Sequence, residues 1–404
     1  MKMSTELVKD RKGFSILEEN FTTQKVVVTS DWISRGPHEK AMQENSEFFY
    51  GNLLPVLRNA DLTIVNVETV LGDLGKPIWK GGPTLKSSGK MTRALEVVPF
   101  HLACLANNHV RDYGAEGLAE TIKLLHQAGI DTIGAGCCEE EITKPSIIKL
   151  GDTTLGILNV AEGESSLPPY VGAPGVASMD LQRIEKQIST LKEKIDVIML
   201  IVHAGREYVP APPPYIQEAY REMLRYGADV VIGHHPHVPQ GIEIYQGRPI
   251  VYSLGNFAFW QPAPNPYQHL GYMVELEFKG SRLVSLAVIP YKILSDGLTL
   301  LEGEEEKHFY TEFQMISRLL YDSKKVAELW EAYVDIFYER TGGTKLVFDY
   351  SDQHSAAKTA NCFRTITYSE MIITMMERVR DETIGTSPKW ARDLVSRWMG
   401  ISDS

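Results

Sequence analysis

Seven short runs of apolar residues between positions 25 and 257 constrain the fold of this chain more than any other feature. They are KVVVTS (25–30), LTIVNVE (62–68), FHLACLAN (100–107), IDTIGAG (130–136), DVIMLIVH (196–203), DVVIGHH (229–235) and PIVYSLGNF (249–257). Several are apolar at consecutive positions rather than at alternate ones, the pattern of strands covered on both faces. Amphipathic segments of helical period lie between them, at 114–128, 179–194 and 215–226. Strands that alternate with helices predict a layered α/β domain. Residues 145–160 read as a hairpin turning at Gly151-Asp152, and 272–278 with 283–289 read as closing antiparallel strands.

With 404 residues the chain can bury a large core and carry an appendage. The pattern predicts an N-terminal arm over 1–23, an α/β domain over 24–290 and a helical C-terminal extension over 291–404. Helical patterns in the extension fall at 305–340, 368–380 and 388–399. The PAPPP at 210–214 reads as a local rigid loop.

The charge balance, 41 Lys and Arg against 52 Asp and Glu for a net −11, gives no footprint for nucleic acid or an anionic membrane. An anionic substrate held through metal ions is still allowed, because bound cations invert the local field. The four cysteines form no CxxC pair, so neither a zinc ribbon nor a disulfide framework is expected. Reduced thiols and a cytoplasmic location are the simpler reading. No run approaches eighteen apolar residues, and the first twenty lack an apolar signal core, so no membrane span is expected.

The polar residues of interest fall at or just past the carboxyl ends of the apolar runs. Asp31 follows the first run and Glu68 closes the second; Asn107, Asn108 and His109 follow the third. His203 ends the fifth, His234 and His235 end the sixth, and His237 lies two residues beyond it. Strand carboxyl ends are where open α/β sheets carry their sites. Carboxylates, an amide and neutral imidazoles together suit divalent ions, one carboxylate being able to bridge two of them. Each piece alone has an ordinary explanation: a turn Asp, an Asn loop satisfying its own backbone, a core histidine. Three histidines within four positions are poor core material, and the ordered set predicts a metal site.

These residues resemble the motifs of the calcineurin-like metallophosphoesterases, and more closely those of the CapA, or PGA-cap, family. The elements are Asn66-Val67-Glu68, NNHVRDYG (107–114), HAGREY (203–208), GHHPH (233–237) and YSLGNF (252–257), and the resemblance covers about residues 24–290. It implies a four-layer α/β/β/α sandwich with its site at one edge of two sheets. It also implies Asp31, Glu68, Asn108, His203, His235 and His237 as metal ligands and His109 as the catalytic histidine. His234 is extra, a substitute ligand, an orienter or a substrate contact; Asp112 orients His109 or caps the helix beginning at Gly114. Arg206, Glu207 and Asn256 are candidate substrate contacts, Arg206 toward an anionic group. Gly255 is expected at positive φ.

Two positions depart from the superfamily pattern. Ile33 stands where the first motif has a histidine, and Glu68 where it has an aspartate. One tightly held and one labile ion are therefore expected, drawn from Mn, Zn, Fe or Co. The leading functional reading is a metal-dependent hydrolase in which the ions activate water against a phosphoester and His109 assists the leaving group. A second uses the ions as Lewis acids on a peptide or poly-γ-glutamate chain, for epimerisation or peptide-bond chemistry with His109 or His234 as base. A third is a metal-bearing accessory protein of polymer and capsule biosynthesis. The partner is a small molecule, a peptide or a polymer.

Overall fold

A computed structural model describes residues 8–9, 23–342 and 351–401. The strands are β1 (Gln24–Trp32), β2 (Leu62–Val67), β3 (Leu102–Cys104), β4 (Asp131–Ile133), β5 (Ser146–Leu150), β6 (Thr153–Ala161) and β7 (Val197–His203). They continue with β8 (Val230–His234), β9 (Ile242–Tyr245), β10 (Arg248–Val251), β11 (Leu270–Lys279), β12 (Arg282–Ile293) and β13 (Leu298–Leu300). All seven apolar runs contribute a strand.

Two sheets face each other. The first runs β12-β11-β1-β2-β3-β4, with the two-residue strand Val8–Lys9 and β13 both paired to β12. The second runs β9-β10-β8-β7-β6-β5. β1 to β4 are parallel, as are β6, β7, β8 and β10, so their carboxyl ends collect on one edge of each sheet. The expected hairpins close β5 on β6 and β11 on β12.

The layers follow from which side chains face which way. Val26, Val28, Ile64 and Cys104 of the first sheet meet Ile157, Val197, Met199, Ile201 and Ile232 of the second in a core between them. On the outer face of the first sheet lie α1 (Pro37–Tyr50), α2 (Leu54–Arg58), α3 (Thr92–Val97) and α4 (Gly114–Gln127), with Phe49, Leu57, Leu95 and Leu118 against Val27, Val65 and Ala103. α5 (Glu139–Thr143) is short; α6 (Leu181–Leu191) and α7 (Pro214–Tyr226) cover the second sheet through Ile184, Ile188, Tyr220 and Met223. The result is the four-layer α/β/β/α sandwich. All seven residues of β7 are buried, which explains its unbroken apolar run.

The helical segment expected over 305–340 is two helices, α8 (Gly303–Leu319) and α9 (Ser323–Thr341). Asp322 starts the second, its carboxylate accepting from the backbone N–H of Lys324 and Lys325. α10 (Gln353–Arg364), α11 (Ile366–Arg380) and α12 (Lys389–Trp398) follow. Trp330, Tyr333, Met371, Met375, Val395 and Trp398 of these helices belong to the same apolar cluster as α6 and α7. Among the described residues, no helix is long and apolar enough to cross a membrane.

Candidate metal site

The parallel register sets the site's geometry. His203 and His234 are the last residues of adjacent strands and lie side by side. Asp31 is paired with Asn66 after a register irregularity in β1 between Val28 and Asp31. Such a bulge re-aims a side chain at a strand end, and here it sends Asp31 toward the second sheet. Glu68 leaves β2 one residue past its end. His235 and His237 take positive φ, 97° and 56°. That backbone is costly for a non-glycine residue and collects at functional sites. It turns both rings back over the strand ends instead of continuing the chain outward.

The side chains converge on Glu68. His203 Nε2 lies 3.3 Å from Glu68 Oε1, 3.1 Å from Asn108 Oδ1 and 3.2 Å from His235 Nδ1. On its other side Glu68 Oε1 is 3.7 Å from His237 Nε2, and His237 Nδ1 is 3.4 Å from Asp31 Oδ2. Metal–ligand bonds of about 2.0–2.2 Å place neighbouring ligands about 3.0–3.6 Å apart around a tetrahedral or octahedral ion. Most of these separations have that size. Three sets of potential ligand atoms close within 4.8 Å: Glu68, His203 and His235; Asp31, Glu68 and His237; and Glu207, His235 and His237.

The residues fit divalent ions. Asp31 and Glu68 are fully buried, and Asp31 Oδ2 and both Glu68 oxygens have no hydrogen-bond partner. Buried carboxylate oxygens without donors are costly unless a cation answers them. Electrostatics agree. Burial, then the Asp31 charge, pushes Glu68 well above the ordinary carboxylate range. Burial also opposes charge on Asp31, yet His234 and His237 hold its carboxyl well below that range. Burial pushes His203 well down and His235 down to about 4, so both imidazoles are neutral and ready to ligate. His237 goes the other way, up to about 10, because the Glu68 and Asp31 charges outweigh its burial. In the metal-free protein the His237 proton is the counter-charge to two carboxylates.

His109 stands apart from the ligand sets. Its Nδ1 is 2.6 Å from Asp112 Oδ2. Asp112 is itself held by Lys80 Nζ (2.7 Å) and the backbone N–H of Leu85 (2.6 Å). Burial and the neighbouring Lys80 lower the His109 pKa. Asp112 therefore orients His109 rather than capping α4. Asn107 fixes the loop, its Oδ1 accepting from the backbone N–H of His109 and Val110.

The remaining candidates surround this cluster. His234 sits behind Asp31, its Nδ1 3.3 Å from Asp31 Oδ1 and 3.4 Å from the Ser30 hydroxyl, and belongs to none of the three ligand sets. Asn256 spends its amide on the structure: Oδ1 is 2.8 Å from His237 Nδ1, and Nδ2 donates to the carbonyls of His237 and Gln268. It orients a ligand, a frequent partner of metal-bound imidazole, and is not presented to substrate. The Arg206 guanidinium is flanked by the rings of Tyr333 and Tyr368, 5.2 Å from each. Glu207 faces His235 and His237 as a potential ligand. Ile33 packs with Leu85 and Phe259 in a small apolar cluster. Gly255 has the positive φ expected, 79°, and a Cβ there would meet the Leu270 carbonyl at 2.7 Å.

Residues to which the sequence assigns no role complete the site. Asn66 Nδ2 lies 2.7 Å from Asp31 Oδ1 and 3.2 Å from His203 Nδ1, and Asn107 in turn holds the Asn66 carbonyl. Glu164 has positive φ (39°), and burial raises its carboxyl to about 7 beside the Asn108 amide. Asn66 had a signal, its place two residues before Glu68; Lys80 and Glu164 had none.

The arrangement defines an α/β sandwich with a buried carboxylate–imidazole cluster able to hold divalent metal at the joined edges of its sheets. The pattern of the family described as "Bacterial capsule synthesis protein PGA_cap" matches residues 25–261, and the chain belongs to that family. It is 31% identical over 246 residues to the capsule biosynthesis protein CapA of Bacillus anthracis, covering 57% of this chain and 58% of that one. It is 32% identical over 179 residues to the PGA biosynthesis protein CapA of Bacillus subtilis (44% and 47%). The chain thus spans about half the length of these relatives. Among solved structures it is similar to a phosphatase from Mycoplasma pneumoniae (13% identity, 72% of this chain and 99% of that one, TM-score 0.43). It is also similar to the NAD nucleotidase of Haemophilus influenzae (15% identity, 79% and 71%, TM-score 0.43).

Proposed function

We propose that this protein is a metal-dependent hydrolase acting on a phosphoester or a related bond, in which Asp31, Glu68, Asn108, His203, His235 and His237 would hold one or two divalent ions. The observation that carries the reading is the position of Glu68 Oε1, unpaired and buried between His203 and His237. Asn108, His203 and His235 would complete one ion's shell with it, Asp31 and His237 the other's. Bound ions there would supply Lewis acidity and activate water.

The chain's own residues do the rest. Asp112 keeps the His109 proton on Nδ1 or shares it, so Nε2 is the atom that exchanges a proton with a leaving group. Lys80 and Leu85 hold Asp112 in place, fixing the ring's direction. Asn256 fixes His237 through Nδ1, leaving its Nε2 toward Glu68. Burial of the cluster excludes bulk water from the carboxylates.

A second reading has one observation in its favour. Glu164, beside the Asn108 amide and raised to about 7 by burial, is a further group near the site able to exchange a proton, as peptide-bond or epimerisation chemistry on a peptide or γ-glutamyl chain would require. The names of the relatives, in capsule and PGA biosynthesis, give that reading its polymer context. The test is purification with elemental analysis, then turnover of bis-p-nitrophenyl phosphate, p-nitrophenyl phosphate and γ-glutamyl-p-nitroanilide with added Mn²⁺, Zn²⁺, Fe²⁺ or Co²⁺. Metal-dependent release from either phosphate supports the first reading. Release from the anilide alone moves the assignment to the second, and loaded protein inert on all three refutes a hydrolase.

A further inference from the structure

Two of the loops that carry the site are fastened to helices outside the family-matched segment. The loop after β7, from His203 to Tyr208, bends at Gly205, whose φ of 111° favours glycine. The bend returns Glu207 to His235 and His237. Gly205 is gripped from both sides: its N–H donates to Glu162 Oε2 (3.2 Å), and its carbonyl lies 3.0 Å from the Thr367 hydroxyl. Thr367 lies in the first turn of α11; its backbone N–H donates to the Glu162 carboxylate, and its one hydroxyl proton is shared between that carboxylate (2.8 Å) and the Gly205 carbonyl. The Tyr215 hydroxyl joins the same cluster, near Thr367 Oγ1 and 3.1 Å from Glu162 Oε1. A carboxylate at a helix N-terminus is also favoured by the helix dipole. Next in sequence, Tyr368 with Tyr333 of α9 flanks Arg206.

A second fastening serves His237. Trp398 of α12 stacks on Tyr267 with ring centroids 3.8 Å apart, and the Asn265 amide donates to the Trp398 carbonyl. Those contacts seat the turn Pro266–His269. The Gln268 carbonyl in that turn accepts from Asn256 Nδ2, and Asn256 Oδ1 holds His237 Nδ1. The family match ends at residue 261, so Asn265, Tyr267, Thr367 and Trp398 all lie beyond it.

We propose that the C-terminal helices are part of the metal site: Thr367, acting through Glu162 and Gly205, is a positioning residue for the Arg206–Glu207 turn, and Trp398 is one for His237. The proposal rests on the metal-site reading above. Outer partners that orient ligands typically change metal affinity by about 10–100-fold when removed, whereas a helix that only packs would change stability alone.

The experiment loads the full chain with Co²⁺ and reads affinity and the visible d–d spectrum, neither of which needs a substrate. Thr367→Val removes the hydroxyl at nearly constant volume and should weaken Co²⁺ binding by about 10-fold or more and alter the spectrum. Thr367→Ser, which keeps the hydroxyl, should restore both. Should Thr367→Val fail to fold, Glu162→Gln is read by the same criteria. Trp398→Leu should weaken the ion at the Asp31–His237 position. Unchanged affinity and spectrum beside a lowered melting temperature would overturn the proposal. Wild-type protein that binds no Co²⁺ would sink both this and the metal reading; wild type that binds Co²⁺ but hydrolyses no phosphoester would sink only the phosphoesterase reading.

Discussion

Loading the site with a divalent ion should expel protons, and His237 is the first group to give one up. In the metal-free protein His237 is held up to about 10 by Glu68 and Asp31, so it is protonated throughout the neutral range. The Glu68 carboxyl is itself pushed up by burial and by Asp31. A ligating imidazole or carboxylate must give its proton up. Metal binding at the Asp31–Glu68–His237 position therefore releases at least the His237 proton between pH 6.5 and 9. His203 and His235, already neutral, release none at the other position. One proton corresponds to about 1.4 kcal/mol, or a tenfold change in affinity, per pH unit. Isothermal titration of the metal-free chain with Mn²⁺ or Co²⁺ in buffers of different ionisation enthalpy counts the proton directly. His237→Gln should remove both the proton release and the weaker of two binding events. The stability sign follows the same logic. The folded pKa of His237 lies above its ordinary 6.5, so its contribution is full below that value and is lost as pH rises toward 10. Metal-free protein should thus melt lower as pH rises through that window, and metal should restore it. Affinity flat from pH 6.5 to 8.5, with no proton released, would refute the reasoning.

His109→Gln should leave metal content and melting temperature near wild type while lowering turnover about 10²–10⁴-fold, checked by elemental analysis beside initial rates on the active probe. His203→Ala should lower metal occupancy itself, since its Nε2 touches Glu68, Asn108 and His235. Under graded chelation the ion at Asp31 and His237 should leave before the one at Asn108, His203 and His235, because Ile33 is packed among Leu85 and Phe259 and cannot ligate; anomalous scattering reads the order. In the C-terminal helices, Arg378→Met should cost about 1.5–3 kcal/mol in urea unfolding, by removing two charge-assisted hydrogen bonds from the buried Asp335 carboxylate, which keeps the Ser387 N–H and the nearby Arg392. Burial works against the Asp335 charge, but Arg378 holds its carboxyl below the ordinary 3.8. Its contribution is therefore present above that pH and lost as pH falls below it.

Strands buried on both faces were legible because their burial leaves consecutive apolar letters, as in β7 and β8. The ligands were legible because parallel strands deliver their carboxyl ends to one edge, so polar letters closing apolar runs are brought together by topology alone. α10 was not, since Asn361 is its one buried residue and no apolar stripe marks it. The break between α8 and α9 is carried by a single capping aspartate inside a continuous helical pattern. Lys80, Glu162 and Thr367 were invisible for a different reason. Their partners lie 32 and 205 positions away, and no local period encodes such pairings. The aromatic rings beside Arg206 were equally invisible, because they come from α9 and α11.

The same distances explain why a chain would keep two buried carboxylates and two histidines in costly backbone. Positive φ at His235 and His237, with Asp31 and Glu68 sealed from water, are each destabilising by themselves. Hydrogen bonds alone do not relieve them, since Asp31 Oδ2 and both Glu68 oxygens remain unpaired while Asn66 and Asn256 hold their neighbours. A cation between Glu68 and the imidazoles would answer the unpaired carboxylate oxygens, and it would stabilise the fold by mass action, by about 2.7 kcal/mol at a hundredfold excess over its dissociation constant. Folding and metal loading would therefore be coupled through Glu68. Glu68→Gln, which keeps the shape and removes the charge, should raise the melting temperature of metal-free protein and shrink the rise that metal produces. The opposite pair of signs in thermal melts with and without chelator would mean that Glu68 is answered by something other than an ion.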